Sequence, residues 1–146
     1  MQIDQLEQLE KNTFRLVDST LVLNDDCLDF LQQLRAEKNL TLLRVNMHQS
    51  TENNVQQMLM ILSENIEIKP HFQKNGYVSY AVLRGTSQLK INCDAPNEKA
   101  IDLSKEHNSF IRMPRHTVRQ MTATSKNFVF VETCDGPFRK ENTIWI

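Results

Sequence analysis

A run of alternating residues near the middle of the chain constrains the fold more than any other feature. Along residues 77–84, Val78, Tyr80 and Val82 fall on one face and the intervening side chains fall on the other. Gly85 then supplies a turn signal. Such alternation is typical of a β-strand with one face directed into a core. The segment therefore predicts a strand that ends in a tight turn.

Apolar runs of similar length recur along the chain from residue 41 onward. They are bounded by polar residues, which is typical of short strands joined by turns. The further strand candidates are residues 42–47, 55–62, 88–92, 110–113, 117–121 and 128–132. Many short strands indicate a sandwich or a small barrel. The fold class predicted from these patterns is therefore mainly β.

The N-terminal part of the chain has a different character. Asn24 precedes apolar residues at helical spacing, and its side chain can cap a helix that begins after it. Residues 3–10 have weaker helical character, and residues 13–23 are expected to contain an extended segment. We therefore expect residues 1–40 to form a helical and extended segment. This segment would pack on a β-barrel formed by residues 41–146, within a single globular domain.

Charge and cysteine content exclude several classes of function. The formal net charge is -1, so nothing draws the chain toward nucleic acid or an anionic membrane. No apolar run approaches the roughly 18 residues that a membrane-spanning helix needs, and the first residues lack the regions of a signal peptide. Cys27, Cys93 and Cys134 are far apart, as expected of free thiols in a reducing cytosol. These observations predict a cytoplasmic protein that binds neither nucleic acid nor membrane.

Short motifs in a fixed order along the chain resemble one known family. They lie at residues 44–50, 55–58, 70–71, 82–85, 116–118 and 131–138, and at Trp145. Together, over residues 24–146, they resemble the WbuC-type cupin fold metalloproteins, which are often encoded with bacterial O-antigen and polysaccharide genes. The resemblance implies a cupin double-stranded β-helix, which is a jelly-roll barrel, with an N-terminal helical segment.

The same resemblance implies a metal site inside the barrel. In cupins, histidines and a glutamate hold a divalent metal, and His71 and His116 match two of the ligand positions. Gln73 and Val78 occupy the other two, so an amide replaces an imidazole and an apolar side chain replaces a carboxylate. His48 is the candidate for an additional ligand. The resemblance therefore implies a degenerate site for Zn, Fe, Mn or Ni, with metal binding weak or absent.

Three functions are compatible with this pattern. The leading hypothesis is a small-molecule-binding protein whose ligand, a sugar or sugar nucleotide, lies in the barrel mouth near His71 and His116. The other candidate ligand-binding residues are Gln73, Tyr80, Arg84 and His48. One alternative is a metal-dependent enzyme, such as an isomerase, an epimerase or a dioxygenase. The other is a non-catalytic structural or regulatory protein, and a homodimer is expected.

Several arginines bear on the choice of ligand. Arg44, Arg84, Arg112 and Arg115 could line an anion-binding mouth, since guanidinium groups make paired contacts with phosphates and carboxylates. The alternative is that they are scattered, exposed arginines. The sequence leaves both interpretations open.

Overall fold

The computed structural model describes residues 1–17 and 20–146. This part of the chain contains one α-helix, two short 3-10 turns (Ile3–Gln5 and Lys140–Asn142) and twelve strands. The elements are β1 (Leu6–Glu10), β2 (Thr13–Leu16), α1 (Asp25–Glu37), β3 (Leu42–Asn46), β4 (Val55–Ser63), β5 (Glu67–Gln73), β6 (Val78–Arg84), β7 (Thr86–Ile91), β8 (Lys99–Ser104), β9 (Phe110–Met113), β10 (Arg119–Ala123), β11 (Asn127–Asp135) and β12 (Thr143–Trp145). The mainly β fold expected from the sequence is confirmed.

The strands form two sheets that face each other. The seven-stranded sheet has the order β1-β2-β3-β4-β11-β6-β9, and the five-stranded sheet has the order β12-β5-β10-β7-β8. Their pairings are antiparallel except for β2 with β3, which is parallel. The N-terminal segment thus adds two strands to the larger sheet, in addition to a helix.

Two apolar clusters lie on opposite faces of the seven-stranded sheet. The inner cluster lies between the two sheets and includes Val78, Tyr80 and Val82, so the alternation predicted for this strand is confirmed. The outer cluster lies between the same sheet and α1, and Leu83 packs against it. Both faces of the central strands are therefore buried, and only the inner face belongs to the barrel interior.

The helix begins where the sequence predicts. Asn24 is its N-cap, and the Asn24 side chain accepts a hydrogen bond of 2.9 Å from the backbone N–H of Cys27. The buried face of α1 consists of Cys27, Leu28, Leu31 and Leu34. This apolar stripe fixes the helix against the outer face of the sheet.

The bounds of other predicted elements differ from those in the structure. Residues 3–10 are a single 3-10 turn followed by β1, because pairing with β2 and burial of Leu6 outweigh the weak helical pattern. The extended segment predicted within residues 13–23 is present as β2; residues 18 and 19 lie outside the described residues. The strand predicted at residues 117–121 begins instead at Arg119, after a turn in which His116 has a φ of 66°.

Gly85 carries the chain from one sheet to the other. It lies between β6 of the larger sheet and β7 of the smaller one, with a φ of +78°. A Cβ at this position would lie 2.0 Å from the carbonyl oxygen of Asn127. Both the backbone conformation and the space therefore require glycine here.

Three further features complete the description of the fold. Strands β8 and β12 form the edges of the five-stranded sheet, and neither was predicted, since both are short and largely polar or exposed. All three cysteines are free thiols. Within the described ranges, no helix combines the length and the apolar character needed to cross a membrane.

Candidate functional site

Polar residues replace the apolar core at one end of the barrel interior. On β6 and β11, Tyr80 lies directly opposite Glu132, and on β10 and β5, Arg119 lies directly opposite His71. Residues opposite each other in an antiparallel pair share a face. Since Tyr80 belongs to the inner cluster, Glu132 is directed to the same interior. The four residues come from both sheets.

A buried arginine forms the centre of this arrangement. Only 2% of the Arg119 side chain is exposed. Its Nε–H donates a hydrogen bond of 2.7 Å to the Tyr80 hydroxyl. Its Nη2 lies 4.0 Å from Oε1 of Glu132, which is an ion pair without a hydrogen bond. Among the residues that the structure describes, Arg119 Nη2 has no hydrogen-bond partner.

Strand β3 contributes two more polar side chains to the same interior. Leu43 and Val45 belong to the outer cluster, so the alternating positions Arg44 and Asn46 are directed inward. Their cross-strand partners on β4, Met60 and Met58, belong to or pack against the inner cluster. Arg44 Nε and Asn46 Oδ1 are buried and lack hydrogen-bond partners within the described residues. We call the set of Arg44, Asn46, His71, Tyr80, Arg119 and Glu132 the interior polar cluster.

Burial determines which members of this region carry charge. Burial and then the Arg119 charge lower the pKa of His71 to about 4, so its imidazole is neutral at pH 7. Burial raises the pKa of the neighbouring Cys134 to about 11, which keeps the thiol protonated. Burial also raises the pKa of Glu132, against the opposing effect of Arg119 and Arg44. The charged groups at neutral pH are therefore two guanidiniums and at most one carboxylate.

His71 and Gln73 lie at this end of the barrel. The Nδ1 atom of His71 is 2.9 Å from the carbonyl oxygen of Lys69, and its ring packs on Trp145 with 4.6 Å between ring centroids. The Gln73 side chain interacts with the Cys134 thiol and lowers its pKa against the larger effect of burial. Gln73 therefore lies close to the interior polar cluster, of which His71 is a member.

His116 lies on the surface. Its ring contacts Phe72 edge-on at 5.9 Å, and its backbone N–H donates to the carbonyl oxygen of Gln73 at 2.8 Å. Phe72 alternates with His71 along β5, so the two histidine rings are on opposite sides of the strand.

This arrangement does not fit the implied metal centre. Within residues 1–17 and 20–146, no group of three or more His, Cys, Asp or Glu side chains is placed to hold a metal ion. The inward-facing Val78 supplies no ligand atom, and the Arg119 guanidinium lies beside His71 where a cation would be repelled. The assignment of His71 and His116 as metal ligands stays a prediction.

The remaining predicted residues lie outside the interior polar cluster. Arg84 pairs with Asp29 at 2.7 Å and with Asp25 at 2.9 Å, both on α1. His48 is half-buried, with its Nδ1 3.0 Å from the backbone N–H of Gln57, and the charge of Arg44 contributes to lowering its pKa after burial. It therefore lies near Arg44. Arg112 lies over the ring of Tyr77, 3.7 Å from its centroid.

Two clefts on the surface do not open onto the interior polar cluster. One, of about 340 Å³, is lined by residues around Gly76 and Gly136, and the other, of about 360 Å³, by residues around Asn12 and Asn39. No member of the cluster lines either cleft. Neither cleft therefore gives access to the interior polar cluster.

The spacing of Arg119 and Glu132 along their strands is a signal in the sequence for their place in the interior. Arg119 alternates with Met121 and Ala123, and Glu132 follows Phe128 and Phe130 at the same period, so each is a charged residue at an inward position. A charge at an inward position is rarely tolerated unless it is paired or functional. That pattern, rather than the histidines, indicates where the polar site lies.

The fold and this interior define the chain as a cupin-fold β-barrel protein. No protein-family model and no curated protein matches the sequence. Solved structures do match. Oxalate decarboxylase from Bacillus subtilis is 16% identical with a TM-score of 0.57, over 65% of this chain and 24% of that chain. Procruciferin, an 11S globulin from Brassica napus, is 15% identical with a TM-score of 0.52, over 62% of this chain and 22% of that one.

A third similar structure is a capsular polysaccharide assembling protein, CapF from Staphylococcus aureus, at 11% identity and a TM-score of 0.58, covering 65% of this chain and 27% of that chain. A complex of CapF with the inhibitor 3-isopropenyl-tropolone gives a TM-score of 0.61 at 10% identity, over 70% and 31% of the two chains. This chain therefore spans less than a third of the length of each of these structures. The similarity establishes the fold.

Proposed function

We propose that this chain binds a small molecule at the end of the barrel that contains the interior polar cluster. The observation that carries the proposal is the buried Arg119 Nη2, which has no hydrogen-bond partner in the described part of the chain. Buried polar groups are almost always paired, and an unpaired one costs about 1–3 kcal/mol. A ligand that accepts a hydrogen bond from Nη2 would remove this cost.

The proposed ligand is a sugar or a sugar nucleotide. The resemblance to proteins encoded with polysaccharide genes supports this choice, as does the likeness to a protein described as capsular polysaccharide assembling. The structure of CapF with the inhibitor 3-isopropenyl-tropolone, which this chain resembles in fold, supports a small-molecule ligand. His71 and Tyr80 of the cluster and the nearby Gln73 would contact the ligand. His48 would lie at its edge, and Arg84 and His116 on the surface remain outer candidates.

A ligand screen by thermal unfolding tests this function. We expect a saturable rise in melting temperature with at least one sugar, sugar phosphate or sugar nucleotide; a ligand at 100 times its Kd stabilises by about 2.7 kcal/mol. The rise should be lost in Asn46→Leu, which removes an unpaired acceptor of the cluster, and kept in the control Asn54→Leu, which changes an exposed residue. An equal rise in both variants would place the ligand elsewhere.

The alternative function is a metal-dependent enzyme, and measuring the metal content of the purified protein tests it. Oxalate decarboxylase from Bacillus subtilis, which this chain resembles in fold, has Mn(II) centres. A stoichiometric transition metal in tag-free protein, lost on His71→Ala, would support that alternative. We expect instead substoichiometric metal that is unchanged by His71→Ala, because only one of the two histidines faces the interior.

Assembly and location are further parts of the proposal. We propose a cytoplasmic homodimer, as expected from the sequence. The exposed edge strand β9, where 62% of Phe110 is accessible, is one element that could pair with a second copy. Light scattering after size-exclusion chromatography measures the mass, and a monomer at micromolar concentration would contradict the dimer.

A further inference from the structure

The interior polar cluster has an unbalanced charge. Arg44 and Arg119 are guanidiniums, and Glu132 is the only acidic member. The charges of both arginines act on Glu132, so all three groups interact. An imidazole cannot supply negative charge, and burial raises the pKa of the Tyr80 phenol, so neither His71 nor Tyr80 offsets the second arginine. A buried, uncompensated charge is costly unless a counter-ion is present.

The geometry of Arg119 leaves one edge of its guanidinium available. The hydrogen bond from Nε to the Tyr80 hydroxyl fixes the orientation of the planar group. Glu132 does not complete the pairing, because its Oε1 is 4.0 Å from Nη2. Nη2 is thus held in position, buried, and without an acceptor among the described residues.

The second arginine presents a similar unpaired donor. Arg44 Nε is buried and has no hydrogen-bond partner in residues 1–17 and 20–146, and Arg44 is directed to the same interior from β3 of the facing seven-stranded sheet. Two oriented N–H donors from two guanidiniums match an oxyanion, which accepts several charge-assisted hydrogen bonds at once. A neutral hydroxyl would satisfy the donors but not the charge.

Resting on the proposed function, we propose that the ligand of this site carries an oxyanion, either a carboxylate or a phosphate, which accepts hydrogen bonds from Arg119 Nη2 and Arg44 Nε. The oxyanion supplies the negative charge that Glu132 provides for only one of the two arginines. Asn46, whose Oδ1 is buried and unpaired in the same part of the barrel, is left to accept a hydrogen bond from a hydroxyl of the same ligand. The site therefore selects an acidic, hydroxylated small molecule.

The test titrates the full-length protein with three probes at constant ionic strength: inorganic phosphate, malonate and neutral galactose. The readout is the arginine Nε–Hε signals in ¹⁵N-edited NMR, together with the melting temperature. Phosphate or malonate should shift the Arg44 and Arg119 signals in a saturable way. The anion with the lower Kd identifies the oxyanion as phosphate or carboxylate.

Matched variants complete the test. In Arg44→Gln the Kd for the preferred anion should rise about tenfold or more, because a charge-assisted hydrogen bond is lost. In the control Arg115→Gln, which removes the same charge from an exposed position, the Kd should change less than about twofold. Arg119→Lys, which keeps the charge but loses the planar edge, should weaken binding as Arg44→Gln does. If Arg119→Lys does not fold, Arg44→Gln alone decides.

The outcomes separate this inference from the proposed function. Saturable binding of galactose with no anion response would overturn the oxyanion and leave small-molecule binding intact. No saturable response to any of the three probes, and none in the wider ligand screen, would overturn both. Anion binding that is equally weakened by Arg115→Gln and Arg44→Gln would reflect surface charge. It would overturn the proposal that the anion binds in the interior polar cluster.

Discussion

At the scale of single residues, Tyr80 determines whether Arg119 can be buried. Its hydroxyl accepts the one hydrogen bond that the Arg119 side chain makes to another side chain within the described residues, and its ring packs edge-on against Phe130 at 5.1 Å between centroids. The phenol thus combines an apolar body in the core with a polar tip in the cluster. Its pKa is raised because of burial, which keeps it an uncharged partner.

We therefore expect Tyr80→Phe to destabilise the protein by about 1–3 kcal/mol, because Arg119 Nε would be left buried without an acceptor. Urea unfolding followed by circular dichroism measures the change. The matched control is Tyr77→Phe at an exposed position, which should change stability by less than about 0.5 kcal/mol. Equal effects in the two variants would show that the buried hydrogen bond contributes nothing.

His71 should make stability depend on pH in the acid range. Its pKa is about 4 in the folded chain against 6.5 in the unfolded chain, so the unfolded state binds more protons between these values. Stability is therefore unaffected by this group above pH 6.5 and falls as the pH decreases toward 4, by up to about 3 kcal/mol. Unfolding free energies at pH 7 and pH 5 should differ less in His71→Gln than in the wild type.

The control for that pH series is His107→Gln, since His107 is exposed. This variant should keep the wild-type difference between pH 7 and pH 5. A wild-type protein whose stability is flat across this range, or a slope that survives in His71→Gln, would contradict the assignment to His71.

At the scale of elements, the β6–β7 connection determines how the two sheets meet. Gly85 is the residue at which the chain leaves one sheet and enters the other, with its Cα close to the backbone of Asn127 on β11. A side chain there meets backbone that cannot move without displacing a central strand. The conformation of this turn is therefore fixed by its contact with the backbone of β11.

We expect Gly85→Ala to destabilise the protein more than Gly76→Ala does, although both glycines have positive φ. At Gly76 the nearest atom to an added Cβ would be the Cβ of Asp135 at 2.7 Å, whereas at Gly85 it would be a backbone oxygen at the much shorter distance of 2.0 Å. Positive φ alone costs roughly 1–2 kcal/mol. Melting temperatures of the two variants test this, and equal losses would show that the clash at Gly85 is relieved cheaply.

At the scale of the whole molecule, the outer and inner clusters share the seven-stranded sheet. Leu59 and Ile61 of β4 belong to the outer cluster, while Met60 and Leu62 belong to the inner one. Packing of α1 and packing of the barrel are thus coupled through one set of strands. Residues 1–40 and 41–146 should therefore unfold together.

Leu31→Ala tests this coupling. Leu31 is fully buried on α1, so its truncation should cost about 2–5 kcal/mol. Trp145, the one tryptophan in the sequence, lies on β12 of the other sheet and reports on the barrel. Its fluorescence and the far-ultraviolet circular dichroism should shift to the same lower urea midpoint. Two separate midpoints would show that the helix layer unfolds independently.

Much of the local structure of this protein follows from the sequence alone. Alternation at Val78, Tyr80 and Val82 predicted a strand and its buried face, and the capping side chain of Asn24 predicted where the helix begins, because both depend on neighbours in the chain. The strands β1, β8 and β12 were missed because their pairing partners, not their own composition, stabilise them. The cupin resemblance correctly indicated the barrel, and its narrower WbuC assignment stays a prediction.

Which polar side chains meet depends on the tertiary structure. His71 and His116 match a motif in the sequence, yet their rings lie on opposite sides of β5, where the His116 ring contacts Phe72 after a reversal in which His116 has a positive φ. Arg119 and Glu132 match no motif, and the register of β10 and β11 brings them to the barrel interior beside Tyr80. Contacts between strands distant in sequence depend on register and sheet packing, which single-strand patterns do not encode.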